Sequence, residues 1–302
     1  MCDDCSGDGT RAILEQFKAQ AAFPVRLYFN EQNMGVLRNF AQAIRLCEGD
    51  IIALCDQDDV WLPEKLERTE TAFATSPDAG LVFSDLEVVD EDLRPLGFRA
   101  WQTGWVEFRE REQALFRKGK AFNVLITRNV VTGAAMAFRA GYRDLVLPVP
   151  EVSRWLLHDY WIALAISTVA KLVAIKVPLV KYRAHSEQQN GLGLPCSTGD
   201  PRVDAVRRIR DYTVRTHYLE LLLERLSKFR SNPPYDEACA KLENRIKHME
   251  ARDNWANQRY LRRVSSVITE LLARRYHDCS HPDSNGWRDA ANDLVPYRLK
   301  QG

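Results

Sequence analysis

The chain has 302 residues, 45% of them hydrophobic, which excludes a disordered or fibrous protein and allows one large domain or two ordinary ones. Its formal net charge of +1 gives no support to a nucleic-acid partner. From Pro201 onward, 20 Lys and Arg stand against 14 Asp and Glu. This basic third allows a contact with an anionic membrane surface, and it is equally typical of a solvated helical face.

The predicted elements alternate between helix and strand along the first half of the chain. Helices are predicted from Thr10 to Ala21 and from Val36 to Cys47, with a short strand from Val25 to Phe29 between them. Later strands are predicted at Ile51 to Cys55, Gly80 to Ser84, Leu86 to Val89, Gly133 to Phe138 and Leu172 to Val180. This alternation favours a parallel α/β sheet in which Val82 and Phe83 lie beside the Ile51 strand.

Two segments interrupt the alternation. The first ten residues are acidic and Gly-rich, which predicts a loop, and no strand is predicted before them. Between Phe98 and Lys120, four large aromatic residues accompany many charges, and they either pack in the core or line a sugar site. They are Trp101, Trp105, Phe108 and Phe116.

The C-terminal part is predicted to be helical. Gln188 to Pro201 holds three Gly and two Pro, which predicts a boundary between residues 1–195 and a helical region, residues 196–302. Helical periodicity runs from Pro201 to Phe229 and from Asp236 to Tyr276. The longest hydrophobic stretch contains Lys171 and Lys176 and is too polar to span a membrane.

The cysteines and the N-terminus predict a cytoplasmic location. Seven scattered cysteines favour reduced thiols over a disulfide framework. Cys2 and Cys5 form a C-x-x-C without a second pair at zinc spacing, so ordinary thiols are favoured over a metal site. The sequence shows no secretory signal pattern.

The apolar run at residues 51–55 ends in three carboxylates, Asp56, Asp58 and Asp59. Strands of α/β folds present ligands at their carboxyl ends, and carboxylate oxygens are the ligands of hard divalent cations. The alternative is a cluster that caps the helix entered through Pro63, and for the triplet alone we favour that alternative.

Further polar motifs follow or precede predicted elements in a fixed order. They are Asp3-Asp4, Asn33-x-Gly35 with Arg38, Gly133, His158-Asp159 and Tyr182-Arg183-x-His185. In this combination the sequence resembles the family 2 glycosyltransferases, and among them the bacterial rhamnosyltransferase-like members. The resemblance covers residues 1–195 and implies an α/β fold of the GT-A nucleotide-sugar-binding type, with a Rossmann-like mixed sheet and a helical C-terminal extension.

The resemblance also implies a role for each motif. Asp4, with Asp3 beside it, would contact the nucleotide base, and Asp56 the ribose. Asp58 and His185 would bind Mg²⁺ or Mn²⁺ on the diphosphate. The implied nucleotide-sugar-binding set is Asp3, Asp4, Asn33, Arg38, Asp56, Gly133 and Arg183.

Asp159 would act as the general base. A cation stabilises the charge that develops on a nucleoside diphosphate leaving group, and a carboxylate can accept the proton of an attacking hydroxyl. The residues alone leave other interpretations open: Asp159 as a helix N-cap, His185 as a structural histidine and Arg183 as a surface arginine.

We therefore predict a metal-dependent, inverting glycosyltransferase of cell-surface polysaccharide synthesis. Its partners would be a nucleoside-diphosphate sugar, with dTDP-rhamnose the first candidate, and a glycan or lipid-linked glycan acceptor. The C-terminal helices allow peripheral association with the inner face of the cell membrane.

Two alternatives accompany this prediction. Family members begin with an earlier strand leading to Thr-Tyr-Asn, which is missing here, so we hypothesise that Met1 is a late start or that the chain is a fragment. The first alternative is accordingly a non-catalytic remnant. The second is an interaction protein whose segment from Pro201 to Tyr276 packs on a membrane or a partner.

Overall fold

A computed structural model describes residues 1–102, 106–152, 157–185, 216–229, 231–253, 260–279 and 285–294. The strands are β1 (Cys2–Asp3), β2 (Tyr28–Phe29), β3 (Ile51–Ala53), β4 (Val60–Trp61), β5 (Ala79–Val89), β6 (Pro95–Arg99), β7 (Met136–Arg139) and β8 (Lys171–Arg183). β1 and β2 form a small parallel sheet of their own. The other six form one sheet in the order β3-β7-β5-β8-β4, with β6 beside β5.

The six-stranded sheet is mixed, which confirms the predicted fold class. Only β5 and β8 run parallel, and the other pairs are antiparallel. The expectation of a purely parallel sheet was wrong, and so was the placement of Val82 and Phe83 beside β3. The antiparallel strand β7 lies between β3 and β5, and Val82 pairs with Ala137.

The helices of the first part are α1 (Thr10–Gln20), α2 (Val36–Leu46), α3 (Lys65–Thr75), α4 (Glu110–Arg117), α5 (Ala121–Leu125), α6 (Arg143–Val146) and α7 (His158–Ser167). Helix α7 is buried on nearly all sides, which explains why its sequence is apolar all round. Trp161 at its centre is fully buried and packs edge-on against Tyr218 from the C-terminal part. The core therefore includes residues from both halves of the chain.

The C-terminal helices are α8 (216–227), α9 (Pro233–Asp253), α10 (Tyr260–Leu272), α11 (Arg275–Cys279) and α12 (Gly286–Leu294). The predicted helix from Asp236 to Tyr276 is interrupted near its end, since α10 ends at Leu272 and Arg274 has a left-handed φ of 58°. The predicted boundary at residue 195 lies outside the described residues. Among those residues, no helix is long and apolar enough to cross a membrane.

Two local predictions also change. Cys2–Asp3 is a strand, so the N-terminal acidic loop does follow a strand, contrary to expectation. Trp101, Phe108 and Phe116 are buried around Phe83 in the core, while Trp105 lies outside the described residues. For these three residues, core packing is the correct interpretation.

Candidate active site

Sheet register brings the acidic loop at residues 56–59 to the end of β8. Because β4 is antiparallel to β8, with Val60 opposite Lys181, the residues just before β4 meet those just after β8. Asp58 Oδ2 consequently lies 3.0 Å from His185 Nε2, although 127 positions separate them in the sequence. The two residues expected to share a cation are neighbours.

Arg183 fixes the acidic loop through its backbone and its side chain. Its N–H donates to Asp59 Oδ1 at 3.0 Å, and its guanidinium donates to the carbonyl oxygens of Asp58 at 2.8 Å and Glu91 at 2.5 Å. The other oxygen of Asp59, Oδ2, is buried and has no hydrogen-bond partner in the described part of the chain. The expected phosphate contact of Arg183 stays a prediction.

The carboxylates of this cluster perturb one another. Burial, followed by the neighbouring charges of Asp59, Asp58 and Asp159, raises the pKa of Asp56 to about 7. Burial is also the main reason why the pKa of Asp59 rises to about 6. Four carboxylates, one of them from α7, therefore share a partly buried space.

The predicted base, Asp159, lies in the first turn of α7. It is not the N-cap, since Leu157 occupies that position. Its Oδ1 accepts a hydrogen bond from the N–H of Tyr160 at 2.6 Å and its Oδ2 one from the N–H of Gly133 at 3.2 Å. Burial raises the pKa of Asp159 to about 6, and these hydrogen bonds oppose the rise. At neutral pH the group is ionised and close to the basicity that proton abstraction needs.

Lys65 is a component of the site that sequence reasoning missed. Its side chain is buried, its Nζ donates to the carbonyl of Ala134 at 3.1 Å, and it lies 4.6 Å from the centre of the Trp61 ring. Burial lowers the pKa of Lys65 to about 8, while the charges of Asp59 and Asp56 oppose that change. The ammonium group thus offsets part of the negative charge of the cluster.

His158 was not assigned a role in advance either. It is 4% exposed, stacks on Phe40 with ring centres 3.8 Å apart, and neither ring nitrogen has a partner among the described residues. Burial lowers its pKa to about 4, so the ring is neutral. A Cβ atom on Gly133 would lie 3.0 Å from His158 Nε2, which gives this glycine a packing reason in addition to the predicted ligand approach.

The predicted base-binding residue, Asp4, lies in a second patch and organises a loop. Its carboxylate accepts hydrogen bonds from Asn30 Nδ2 at 2.9 Å and from the N–H groups of Met34 and Gly35, both at 2.8 Å. Burial opposes the effect, but these bonds together lower the pKa of Asp4. Asn33 donates to the carbonyl of Asp4 at 3.2 Å. The loop before α2 is therefore held in place by this one carboxylate.

The other two members of this patch have local partners as well. Asp3 is 8% exposed and accepts hydrogen bonds from the Oγ and the N–H of Ser6. Arg38 is exposed and pairs with Glu151 through two hydrogen bonds, at 2.6 and 3.3 Å. Helix α2 connects this patch to the acidic cluster, because it packs on both β1 and α7.

Residues 1–144 match the family described as Glycosyl transferase family 2. This part of the chain is a family 2 glycosyltransferase domain. The family predicted from the sequence is thereby confirmed, and with it a transferase of the GT-A fold class. Three predicted residues of the glycosyltransferase site, Asp159, Arg183 and His185, lie beyond the matched region, yet the structure brings them to the acidic loop.

Curated relatives agree with this family. An uncharacterized glycosyltransferase of Nostoc sp. is 24% identical over 225 residues, which are 72% of this chain and 67% of the relative. A glycosyltransferase of Bacillus subtilis that is named for teichuronic acid biosynthesis, TuaG, is 31% identical over 96 residues, 32% of this chain and 37% of the relative. An uncharacterized protein of Mycobacterium tuberculosis is matched over only 43% of its length.

Solved structures show distant likeness. S. aureus TarS in complex with UDP-GlcNAc gives a TM-score of 0.49 at 14% identity, over 92% of this chain and 71% of that one. A mannosyltransferase of Pyrobaculum calidifontis with GDP-Man and Mn²⁺ gives 0.44 at 14% identity, over 99% and 76%. With TM-scores this low, neither structure identifies the sugar donor of this glycosyltransferase domain.

The donor atoms around Asp58 fit a divalent cation. Carboxylate oxygens of Asp58 and Asp59 and the imidazole of His185 are ligand types that Mn²⁺ and Mg²⁺ accept, and the unpartnered Asp59 Oδ2 is a buried acceptor without a donor. Within the described ranges, no group of three or more His, Cys, Asp or Glu is already arranged to hold a metal ion. The residues have the ligand types that such an ion requires, and its coordination by them stays a prediction.

Proposed function

We propose that this chain transfers a sugar from a nucleoside-diphosphate sugar to a hydroxyl group of a glycan or lipid-linked glycan, with inversion at the anomeric carbon. Asp58 and His185, with Asp59 beside them, would hold Mg²⁺ or Mn²⁺, and Asp159 would be the general base. The name of the Bacillus subtilis relative supports a role in cell-surface polysaccharide synthesis, which we propose takes place in the cytoplasm.

One observation carries the proposal. In a family 2 glycosyltransferase domain, four carboxylates from two distant segments meet in a partly buried cluster, where burial, followed by the charges of the neighbouring carboxylates, raises the pKa of Asp56 to about 7. Such mutual repulsion disfavours the folded state unless positive charge is supplied. Lys65 supplies part of this positive charge, and a divalent cation would supply the rest.

The residues of the chain would divide the work as follows. The cation would stabilise negative charge on the departing diphosphate. Asp159, held by Gly133 and Tyr160, would accept the proton of the acceptor hydroxyl in the same step that forms the new glycosidic bond. Its pKa of about 6 leaves it ionised and still basic enough to take that proton.

The loop organised by Asp4 would receive the nucleotide. Both oxygens of Asp4 already accept hydrogen bonds, so this carboxylate would act on the base mainly by shaping the loop that ends at Gly35. Asp56 would contact the ribose, and Arg38 and Arg183 the phosphates. For either arginine, phosphate binding requires exchange of its present partners.

The test is release of nucleoside diphosphate from a panel of UDP-, GDP- and dTDP-sugars, with dTDP-rhamnose included, in Mg²⁺ or Mn²⁺. We expect Asp159→Asn to lower turnover by about 10²–10⁴-fold while nucleotide affinity is kept, since only the proton acceptor is lost. Asp58→Ala should lower both turnover and nucleotide affinity. Asp50→Asn, at an exposed carboxyl group before β3, is the matched control.

Full turnover in Asp58→Ala would refute the cation site. If the donors bind but none is turned over, the assay lacks the acceptor. If calorimetry detects no nucleotide binding, the non-catalytic alternative is favoured. Sedimentation with anionic vesicles, compared between the full chain and residues 1–200, tests the proposed peripheral association.

A further inference from the structure

A basic cleft lies at the end of the six-stranded sheet that is opposite the acidic cluster. It has a volume of about 680 Å³, and its floor is the turn at residues 167–171, between α7 and β8. The acidic cluster contacts β8 at Arg183, and the ten residue steps of β5 that run beside β8 from Lys171 to Arg183 span about 33 Å. A small ligand in the cleft therefore cannot reach the proposed donor site.

Positive charge dominates the lining of the cleft. Five basic side chains face one carboxylate, Asp78: they are Arg117, Lys118, Lys120, Lys171 and Lys241. Lys171 pairs with Asp78 at 3.8 Å, and Arg117 pairs with Glu110 at 2.8 Å. Within the described part of the chain, the other three lysines have no side-chain partner.

Two of the free lysines stand on a rigid turn. Gly119, with φ of +70°, ends α4 in a Schellman arrangement, in which the N–H of Lys120 donates to the carbonyl of Leu115 at 2.8 Å and that of Gly119 to Phe116 at 2.9 Å. Lys118 and Lys120 are thus presented from fixed backbone positions. Lys241, on α9, faces them from the C-terminal part.

Helix dipoles do not account for this charge. Helices α4 and α7 both end at the cleft, and a helix C-terminus carries about half a negative charge. The two ends together amount to about one negative charge, which, with Asp78 and Glu110, leaves about two of the five basic charges uncompensated. Concave walls of low dielectric constant concentrate such a field on whatever enters.

We propose that the cleft binds a polyvalent anion through its phosphate groups. Lysine ammonium groups bind phosphate as point charges, and several of them spaced around a cavity favour a ligand with more than one phosphate over a single ion. The side chain of Asn123, which also lines the cleft, adds a neutral hydrogen-bonding group. Phosphate of this kind is carried by a soluble oligophosphate or by a lipid headgroup.

The experiment uses the full chain in EDTA, so that a cation at the acidic cluster does not contribute. Calorimetry with inorganic tripolyphosphate measures the soluble form, and sedimentation with cardiolipin vesicles, whose headgroup carries two phosphates, measures the headgroup form. We expect binding in at least one arm, and a loss of at least about tenfold in affinity for the Lys118→Gln/Lys241→Gln double variant. Lys18→Gln/Lys228→Gln, which removes two exposed lysines outside the cleft, should bind like the wild type.

Circular dichroism establishes that both variants are folded, and titration with nucleoside diphosphate in Mn²⁺ reports the distant site separately. Cleft-dependent binding of tripolyphosphate alone assigns a soluble ligand, and cleft-dependent binding of vesicles assigns a lipid headgroup. No binding in either arm, or equal losses in the two double variants, overturns the proposal.

Discussion

Replacing Asp56 by asparagine should stabilise the metal-free protein at pH 8. The folded-state pKa of Asp56 is about 7, above its ordinary value of 3.8, because the carboxyl group is partly buried and lies among other carboxylates. A group raised in this way binds its proton more tightly in the folded state. Its contribution to stability is therefore present at low pH and is lost as the pH rises from about 4 through about 7.

The size of the effect follows from that pKa. At about 1.4 kcal/mol per pH unit, ionised Asp56 destabilises the folded state by about 4 kcal/mol above pH 7. The side chain is partly exposed, and screening by water reduces this to about 2 kcal/mol. Asparagine keeps the shape and removes the charge. For a chain of 302 residues, Asp56→Asn should raise Tm by about 3 °C at pH 8.

The assay is thermal unfolding followed by circular dichroism in EDTA from pH 4.5 to pH 8.5, with Asp50→Asn as the exposed control. The difference between Asp56→Asn and wild type should be small near pH 4.5 and should grow up to about pH 7. A difference that does not depend on pH, or a less stable variant at pH 8, would refute the argument. The same variant should bind nucleoside diphosphate more weakly, since the charge of Asp56 destabilises the metal-free fold but is expected to contribute to nucleotide binding.

Three further substitutions test close packing in the core, a buried ion pair and the charge of the acidic cluster. Gly80→Ala places a Cβ 2.7 Å from Ala170 Cβ and Ile166 Cγ2, so overpacking should destabilise the fold by about 1–3 kcal/mol in urea unfolding. In the wild type, the buried Glu112 carboxylate accepts hydrogen bonds from Arg128 at 2.6 and 2.7 Å. Arg128→Met leaves this carboxylate buried without its guanidinium partner. It should cost about 3–5 kcal/mol, and Arg128→Met/Glu112→Met should recover much of the loss. Lys65→Met should raise the pKa of Asp56 above about 7, measured by NMR titration, because a positive neighbour is lost.

Local patterns predicted most elements of the fold but not their pairing. Helix α2 and strands β3 and β8 lie where apolar periodicity predicted them. A buried face or a short buried run requires apolar residues at nearby positions, so it is visible in the local sequence. Strand direction depends on contacts between distant segments, so β7 was not expected between β3 and β5. The same limit applies to the C-terminal helices, whose breaks depend on single backbone conformations such as that of Arg274.

Only those site residues that belong to a sequence motif were predictable. The pairing of Asp58 with His185 came from the family resemblance, since 127 intervening residues carry no local signal for it. Lys65 and His158 were missed because an ordinary helical lysine and a histidine before an aspartate become unusual only when they are buried. The hydrogen bonds of Asp4 to its own loop were equally invisible, because backbone donors have no sequence signature.

The close approach of Gly133 to His158 limits which sequences this domain can adopt. With 3.0 Å between a Cβ at residue 133 and the imidazole nitrogen, a larger residue at 133 requires the His158 ring to shift by a few tenths of an ångström or a smaller residue at 158. The two positions should therefore change together rather than one at a time as homologous sequences diverge. In a redesign of this site, residues 133 and 158 should be varied together.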